Sequence, residues 1–421
     1  MKILFYNHTG QVSGAERLLL MILARMDRAE FDPIVVCPGK DSLSRMVLDL
    51  GVPVETITGL EARFTWRVNQ LGRYCKSFFK VILQLRRKVT TISPDLIHAN
   101  SIRAGLVATA ATIGLGTRVV WHLHDLLPRH PLSTAIRAVA SLSSRTCLIA
   151  VSEAVARNFC GRFSRLIKSR PTTRAGLPGW GPRTSVILNA IDLEKFQPDQ
   201  AAGRAIRAEL GLSQDDLVFG IVGQLTPRKG QLELIKAFAR AGVPRSTLLI
   251  VGAPLFNRDD DYAQSLEQAA QAPEVAGRVR MLGARSDVGA IMQALDLLIV
   301  NSKVEPFGLV ILEAMSGGTP VLAAAVDGIP EIIEHGRNGW LVPPEEEAAL
   351  AEAIIHLSCE VKLRARLAKQ GKQDVARYFA VSRYINELQT FYYSKVDLRS
   401  TQNDSKNFKA PPHEWGGVGV G

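Results

Sequence analysis

Short apolar runs alternate with longer stretches of helical periodicity along almost the whole chain. In the first half, the runs at 3–7, 34–37, 96–99, 119–122 and 147–151 have the length of strands. They are apolar nearly throughout, as strands covered on both faces are. The second half repeats the scheme at 217–222, 247–251, 279–282, 297–300 and 320–323. Strand and helix taking turns predicts doubly wound parallel sheets, an α/β class, and two such sets predict two Rossmann-like domains. The boundary is expected near Asn189-Ala190-Ile191-Asp192, after the apolar 186–188, so that residues 1–188 form one domain and 189–377 the other. Residues 378–394 read as a last helix and 395–421, polar and ending in alternating glycines, as a disordered tail.

Length and composition agree with this division. A chain of 421 residues exceeds one ordinary core, and 47% apolar with 22% charged residues is ordinary globular composition. No stretch has the eighteen or so apolar residues of a membrane span; the nearest, 104–117, is too short. The start, Met1 to Asn7, reads as a first strand rather than a signal peptide. Five cysteines, at 37, 75, 147, 160 and 359, lack metal-ligand spacing, which leads to the expectation of a reduced, cytoplasmic protein.

Charge changes the picture. Of the net +11, residues 1–185 hold 26 Lys and Arg against 11 Asp and Glu, and the remainder 25 against 29. Only the first half is basic, which points to an anionic partner there, such as a membrane surface, lipid phosphate or nucleic acid. Residues 161–185 carry six cations without an acid and read as a mobile basic loop. Residues 63–88 are also free of acids, and a helical wheel puts Leu71, Tyr74, Phe78, Ile82 and Leu85 on one side and Arg73, Lys76, Lys80 and Arg87 opposite. One account packs the apolar stripe on a sheet. The other is an interfacial helix on anionic lipid, with Trp66 and Phe79 as anchors. The two can coexist.

The densest chemistry lies at Glu305-Pro306-Phe307-Gly308-Leu309-Val310-Ile311-Leu312-Glu313, delivered by the apolar run 297–300 and Asn301-Ser302. Pro306 suits a first helical turn and Gly317-Gly318 a helix end. On such a helix Glu313 stands about 12 Å along the axis from Glu305 and about 80° around it, so both acids can line one groove. Free N–H groups near Phe307, Gly308 and Leu309 would favour an anion between them.

This segment resembles the Glu-x7-Glu signature of the retaining GT-B glycosyltransferases grouped as glycosyltransferase family 4, or glycosyl transferases group 1. The likeness continues through Asp327-Gly328-Ile329-Pro330-Glu331 and Gly339-Trp340-Leu341-Val342-Pro343-Pro344. It implies two Rossmann-like domains facing a central cleft, the first on the acceptor side, the second binding a nucleotide diphosphate sugar, and the last helix crossing back to the first. By resemblance, Glu305 contacts donor-sugar hydroxyls, the backbone of Phe307, Gly308 and Leu309 contacts sugar or phosphate, and Glu313 holds the ribose. In Trp121-His122-Leu123-His124-Asp125, the family's His-Asp motif falls on His124-Asp125, so His124 is expected at the donor sugar and His122 is read as structural. Val151-Ser152-Glu153 matches a family segment in which Ser152 is expected to cap a helix.

Three further segments bear on phosphate and metal. Gly14, after the first strand, lacks Gly-x-Gly-x-x-Gly spacing, which argues against a nicotinamide enzyme. Its likeness to the family's Gly-Gly-x-Glu-Arg loop makes Gly14 a donor-phosphate candidate. In Gly223-Gln224-Leu225-Thr226-Pro227-Arg228-Lys229-Gly230, Lys229 matches the family's diphosphate-binding Lys, while Gln224 stands where the family commonly has Arg; Arg228 is the candidate to compensate. Asp259-Asp260-Asp261 precedes a helix read to begin near Tyr262 and reads as solvated charge at a helix start rather than a metal site. No metal and no cofactor beyond the donor substrate are expected.

The function implied is a retaining, metal-independent transfer of a sugar from a nucleotide diphosphate donor, with His124, Glu305 and Lys229 as the reactive set. The acceptor expected from the basic half is a lipid-linked or cell-surface glycan, with the enzyme cytoplasmic or peripheral on the inner face of the membrane. The rivals are a GT-B nucleotide-sugar epimerase or phosphorylase, and a basic binding protein for membrane or nucleic acid, of which nucleic acid is the less expected partner.

Overall fold

The computed structural model describes residues 1–39, 41–60, 68–160, 183–254 and 259–396. Contacts divide the chain into two units: Met1–Ala150, Ala156–Ser185 and Asn386–Gly421 form the N-terminal one, Val151–Val155 and Val186–Ile385 the C-terminal one. Most of the basic loop read at 161–185 and of the tail read at 395–421 lies outside the described residues.

In the N-terminal unit the order is β1 (Lys2–Tyr6), α1 (Gly14–Arg25), β2 (Asp32–Pro38), α2 (Ser42–Asp49), β3 (Val54–Ile57), α3 (Val68–Ile92), β4 (Leu96–Ala99), α4 (Ile102–Ala111), β5 (Arg118–Leu123), α5 (Pro131–Leu142), β6 (Thr146–Ala150), α6 (Glu153–Cys160) and β7 (Arg183–Val186). The sheet order is β3-β2-β1-β4-β5-β6-β7, so the winding reverses between β1 and β4. Ile3 sits beside Leu96, and Leu96 beside Arg118, in parallel register. Loops leaving the carboxyl ends of β1 and β4 therefore diverge, which opens a crevice at that edge.

The C-terminal unit runs α7 (Gln200–Glu209), β8 (Leu217–Val222), α8 (Gln231–Ala241), β9 (Ser246–Val251), α9 (Asp260–Ala270), β10 (Val279–Gly283), α10 (Val288–Ala294), β11 (Leu297–Val300), α11 (Leu309–Gly317), β12 (Val321–Ala324), β13 (Trp340–Val342), α12 (Glu347–Cys359), α13 (Val361–Tyr378) and α14 (Val381–Val396). Its sheet order is β10-β9-β8-β11-β12-β13, and here the winding reverses between β8 and β11. Strands β9, β11 and β12 are buried at every position, as strands covered on both faces must be.

Several boundaries differ from the sequence reading, each for a local reason. The last helix is Val381–Val396 rather than 378–394, because Phe379 O accepts from Ile191 N and Ala380 bridges Ile191, which takes both out of helical geometry. Residues of α14 up to Ile385 belong to the C-terminal unit and those from Asn386 to the N-terminal one. Helix α9 starts at Asp260, so Asp260 and Asp261 lie within its first turn and Asp259 is its N-cap. Strands β3, β7 and β13 have three or four residues and occupy or adjoin sheet edges, where no continuous apolar run is needed. In α3 the core contact is made by Val81, Leu85 and Val89 at four-residue spacing, whereas Tyr74, Phe78 and Ile82 are half-buried.

Helix α4 lies unusually close to β5. A Cβ on Gly105 would stand 2.2 Å from Trp121 Cδ2, and Trp121, fully buried, donates from Nε1 to Thr109 Oγ1 at 2.9 Å. Overfilling such a contact costs about 1–3 kcal/mol. Gly105→Ala is expected to lower the free energy of unfolding by that amount, read as a lower urea midpoint at an unchanged denaturant slope; an unchanged midpoint would mean that the helix can move off the indole freely.

Candidate functional site

In the C-terminal unit the loops leaving β8 and β11 meet at the switch point. After β8 the chain makes a 3-10 turn at Pro227–Lys229 that ends at Gly230. Residues just after β11 hold this turn: Asn301 Nδ2 donates to Gly230 O at 3.0 Å and Lys303 N donates to Arg228 O at 2.8 Å. Lys229 is thereby aimed at Glu305, with Nζ 2.5 Å from Oε2. Ser302 Oγ donates to the same oxygen at 3.0 Å. Both partners are largely buried, with side-chain exposure of 15% and 10%, so neither charge is well solvated and each depends on the other.

The backbone of Glu305 is fixed from the opposite side. Its N–H donates to Asp327 Oδ2 at 3.0 Å, and its carbonyl accepts from Gly328 N at 3.1 Å. Gly328 must lack a side chain, since a Cβ would fall 2.4 Å from Pro306 O. Phe307 is buried and its ring meets that of Phe379 at 6.1 Å, which anchors the loop in the core. Ser152, in the segment Val151–Val155 of the same unit, donates to Pro306 O at 2.7 Å and accepts from Val155 N at 3.1 Å. It is thus the helix cap that the sequence suggested. Glu331 accepts from Glu153 N and Ala154 N, both at 2.7 Å.

Helix α11 does not begin at Pro306, as the sequence reading had it, but at Leu309. Gly308 adopts φ 106° and caps the helix without a side-chain hydrogen bond. A left-handed residue turns the chain sharply, so Glu305 precedes the helix instead of riding on its first turn. The separation of the two acids along one continuous helix therefore does not apply. Glu313 sits in the second turn of α11, half-buried. The start of α11 at Leu309 presents backbone N–H groups with no side-chain cap. Gly318, at φ 84°, ends the helix where the sequence placed its end.

The flanking charges take other places. Arg228 is exposed in the turn before Lys229. Gln224 donates from Nε2 to Asp259 Oδ2 at 2.9 Å, and its carbonyl accepts from Gln231 Nε2 at 2.8 Å. Asp259 is thus held by an amide at the start of α9. Among the described residues no three His, Cys, Asp or Glu side chains are grouped to hold a metal ion.

The N-terminal unit has its own polar cluster at the β1/β4 switch point. Asn7, His98, Asn100 and His122 have no exposed surface and Glu16 is 3% exposed. The rings of His122 and His124 lie 4.0 Å apart, which the period of two along β5 predicted. His122 Nδ1 is 3.2 Å from His98 Nε2, and Tyr392 Oη is 2.6 Å from His98 Nδ1. Burial drives His98 down to about 3 and His122 well below its usual range, with the charge of His124 adding to both. His124 is pushed down to about 3 by burial, and His8 to about 4 by burial and then by Arg103. Gly14 is the exposed first residue of α1, behind Ser13 as N-cap.

Lys229, Glu305, Phe307, Gly308 and Leu309 therefore form one locality in the C-terminal unit, whereas His124 and Gly14 belong to the other unit. Arg73, Lys76, Lys80 and Arg87 are exposed along α3. The sequence reading missed Ser302 and Asp327 as partners of Glu305, Asn7 as a partner of Asn100 and Glu16 as a partner of Asn7. Ser302 and Asp327 stand in quoted motifs, at a strand end and before a required glycine. Nothing in the sequence links Asn7 to Asn100, 93 positions apart.

Comparison with known proteins agrees with this geometry. A family model for glycosyltransferase family 4 matches residues 12–195, and one for glycosyl transferases group 1 matches residues 203–374. The chain is 34% identical over 321 residues to a D-inositol 3-phosphate glycosyltransferase of Stackebrandtia nassauensis, covering 73% of this chain and 69% of that protein. It is 33% identical over 225 residues to the enzyme of the same name from Mycobacteroides abscessus, a match spanning 49% of that protein. Crystal structures of Anabaena HepE in complex with UDP-glucose, and with UDP and glucose, superpose with TM-scores of 0.76 over 94% of this chain and all of theirs, at 29% and 30% identity. Two parallel Rossmann-like sheets, a lysine and a glutamate joined at a switch point and these likenesses lead to one conclusion: the chain belongs to glycosyltransferase family 4 and has the GT-B fold.

Proposed function

We propose that the protein is a retaining hexosyltransferase that uses a UDP-hexose and works on a lipid-linked or cell-surface glycan at the cytoplasmic face of a membrane. The observation that carries the donor half is the convergence of Lys229, Glu305 and Ser302 beside the uncapped start of α11. The relatives that bind UDP and UDP-glucose support the choice of nucleotide.

On this reading the C1–O bond to the diphosphate breaks with positive charge growing on the sugar and negative charge on the leaving group. An ammonium has three N–H donors, so Lys229 can keep Glu305 and still reach a phosphate oxygen. The start of α11 adds partial positive charge. Glu305 spends one carboxylate oxygen on Lys229 and Ser302, and its Oε1 remains to accept from sugar hydroxyls. The acceptor hydroxyl bonds to C1 on the face that the diphosphate leaves, and its proton passes to the departing phosphate oxygen. Electrostatic groups fixed in advance lower such a barrier without reorganising.

The acceptor half is supported by α3. Phe79 and Leu83 are 67% and 58% exposed, on the same face as Lys76, Lys80 and Arg87. Large apolar side chains set among cations suit the boundary between anionic headgroups and acyl chains.

Two measurements test these halves separately. With a UDP-hexose panel and a glycan acceptor, Lys229→Ala should cut kcat/KM about 10²–10³-fold, the loss typical of removing one preorganised donor, when assayed below a melting temperature that falls because Glu305 is left without its partner. Undiminished turnover, or an epimerised or phosphorolysed donor without acceptor, would overturn the transferase reading. In vesicle sedimentation with anionic lipid, Lys76→Glu with Lys80→Glu should weaken partitioning at least about tenfold, since each cation near such a surface contributes about 1 kcal/mol. Equal partitioning of the variant would remove α3 as the membrane contact.

A further inference from the structure

The buried amides of the N-terminal unit fix the protonation pattern of His124. Asn7 Nδ2 donates to Thr9 O at 2.6 Å and to Glu16 Oε1 at 3.1 Å. Both are acceptors only, so the Asn7 amide has one orientation and its Oδ1 must face Asn100. Asn100 Nδ2 donates to that Oδ1 at 3.0 Å and to Ala15 O at 3.3 Å. Its own Oδ1 therefore faces His124 Nε2, 3.1 Å away. A carbonyl oxygen can only accept, so Nε2 carries the proton. Among the described residues Nδ1 of His124 has no hydrogen-bond partner.

The far end of this chain is equally constrained. Glu16, in the first turn of α1, accepts at Oε2 from Ser13 N at 3.0 Å and from Ser13 Oγ at 2.5 Å. Three donors converge on one buried carboxylate, and this sets the direction of every bond between it and the imidazole. Burial then keeps His124 neutral over the working pH range.

We propose that Glu16, Asn7 and Asn100 are positioning residues that lock His124 as the neutral Nε2–H tautomer, so that its bare Nδ1 accepts a hydrogen bond from a donor-sugar hydroxyl. The tautomer stands on the hydrogen bonds alone; the sugar contact rests on reading His124 as the family's donor-sugar histidine. A histidine fixed in this way selects a hydroxyl pointing at it and rejects a donor whose corresponding position lacks one, because the bound sugar would close off that lone pair from water and leave it unpaired. Of the titratable and charged groups about it, His122 at the end of β5 has its ring 4.0 Å away, His98 on β4 meets His122, Tyr392 on α14 meets His98, Glu16 on α1 is two amides away and Asp125 is the next residue.

Histidine-labelled full-length protein, with the His124 signals assigned by His124→Gln, reports the tautomer directly through nitrogen shifts at pH 7. The expected result is Nε2–H; an Nδ1–H pattern overturns the relay whatever the activity. Asn100→Asp offers a carboxylate to Nε2–H and raises the His124 pKa, so protonation puts a proton on the accepting Nδ1. That variant should gain a new acidic limb in its kcat/KM profile between pH 5 and 7, where the parent is flat on this account. A wild-type profile in Asn100→Asp overturns the relay. Glu16→Ala should lower kcat/KM for the preferred donor about tenfold, the loss of one charge-assisted link, and Glu16→Gln should restore most of it because its Oε1 still accepts from Asn7. Equal damage by Ala and Gln would reject the relay in favour of a local role at the helix start. If the tautomer is Nε2–H but His124→Gln leaves donor selectivity intact, the sugar contact fails and the relay stands.

Discussion

The contact between Lys229 and Glu305 is the constraint around which the C-terminal unit is arranged. At 2.5 Å and with little exposure on either side, the pair gives up much of its hydration. Replacing such a pair with apolar residues often leaves a protein as stable or more so, whereas breaking it costs about 3–5 kcal/mol. Packing alone therefore does not explain its presence. What explains it is the support around it: Ser302 shares the carboxylate, Asp327 and Gly328 hold the Glu305 backbone, and Asn301 and Lys303 hold the turn that carries Lys229. Each comes from the loops at one end of the sheet. On the proposed reaction, a charge held this firmly is ready for a diphosphate before one arrives.

The helix start beside it depends on a conformation that side chains resist. With Gly308 at φ 106°, the chain bends out of Pro306 and Phe307 and enters α11 with its first N–H groups uncapped by any side chain. A Cβ there would also stand 2.9 Å from Ile311 Cδ1. Had the helix begun at Pro306, Glu305 would have been its cap and its carboxylate would have turned onto the helix N–H groups. Moving the start three residues on leaves the carboxylate for Lys229 and the N–H groups for an anion.

The buried parallel strands were legible because they need no partner to declare themselves: the apolar runs at 217–222 and 297–300 coincide with β8 and β11. So was the locality of the site, since Glu305 and Lys229 each follow such a strand and the reversal of winding brings those two ends together. The short edge strands β3 and β13 were not, because one side of the ladder or one face is open there and composition is less constrained, whereas the edge strand β10 was read at 279–282. Nor was the face of α3: its wheel placed Ile82 and Leu85 inward, and only Leu85 is fully buried, alongside Val81 and Val89. A helix wheel gives the width of an apolar stripe and not its axis when both flanks carry large apolar residues, as Phe79 and Leu83 do here. The partners of His124 were hidden for a different reason, since amide-to-amide hydrogen bonds between distant strand ends leave no periodicity to read.

The two units handle buried polarity in opposite ways. The C-terminal one keeps a full positive and a full negative charge in contact. The N-terminal one keeps its histidines neutral: His98, His122 and His124 are all held far below their usual range, and the buried carboxylate of Glu16 is separated from His124 by two amides. Were that carboxylate in direct contact, it would stabilise an imidazolium and put a proton on the nitrogen that now has a lone pair. Two intervening amides transmit the direction of the hydrogen bond while keeping the charge away. On the proposed reaction this division has a chemical reason. The diphosphate gains charge as its bond breaks and needs a fixed countercharge, whereas the sugar hydroxyl facing His124 stays neutral throughout and meets a neutral acceptor of fixed direction.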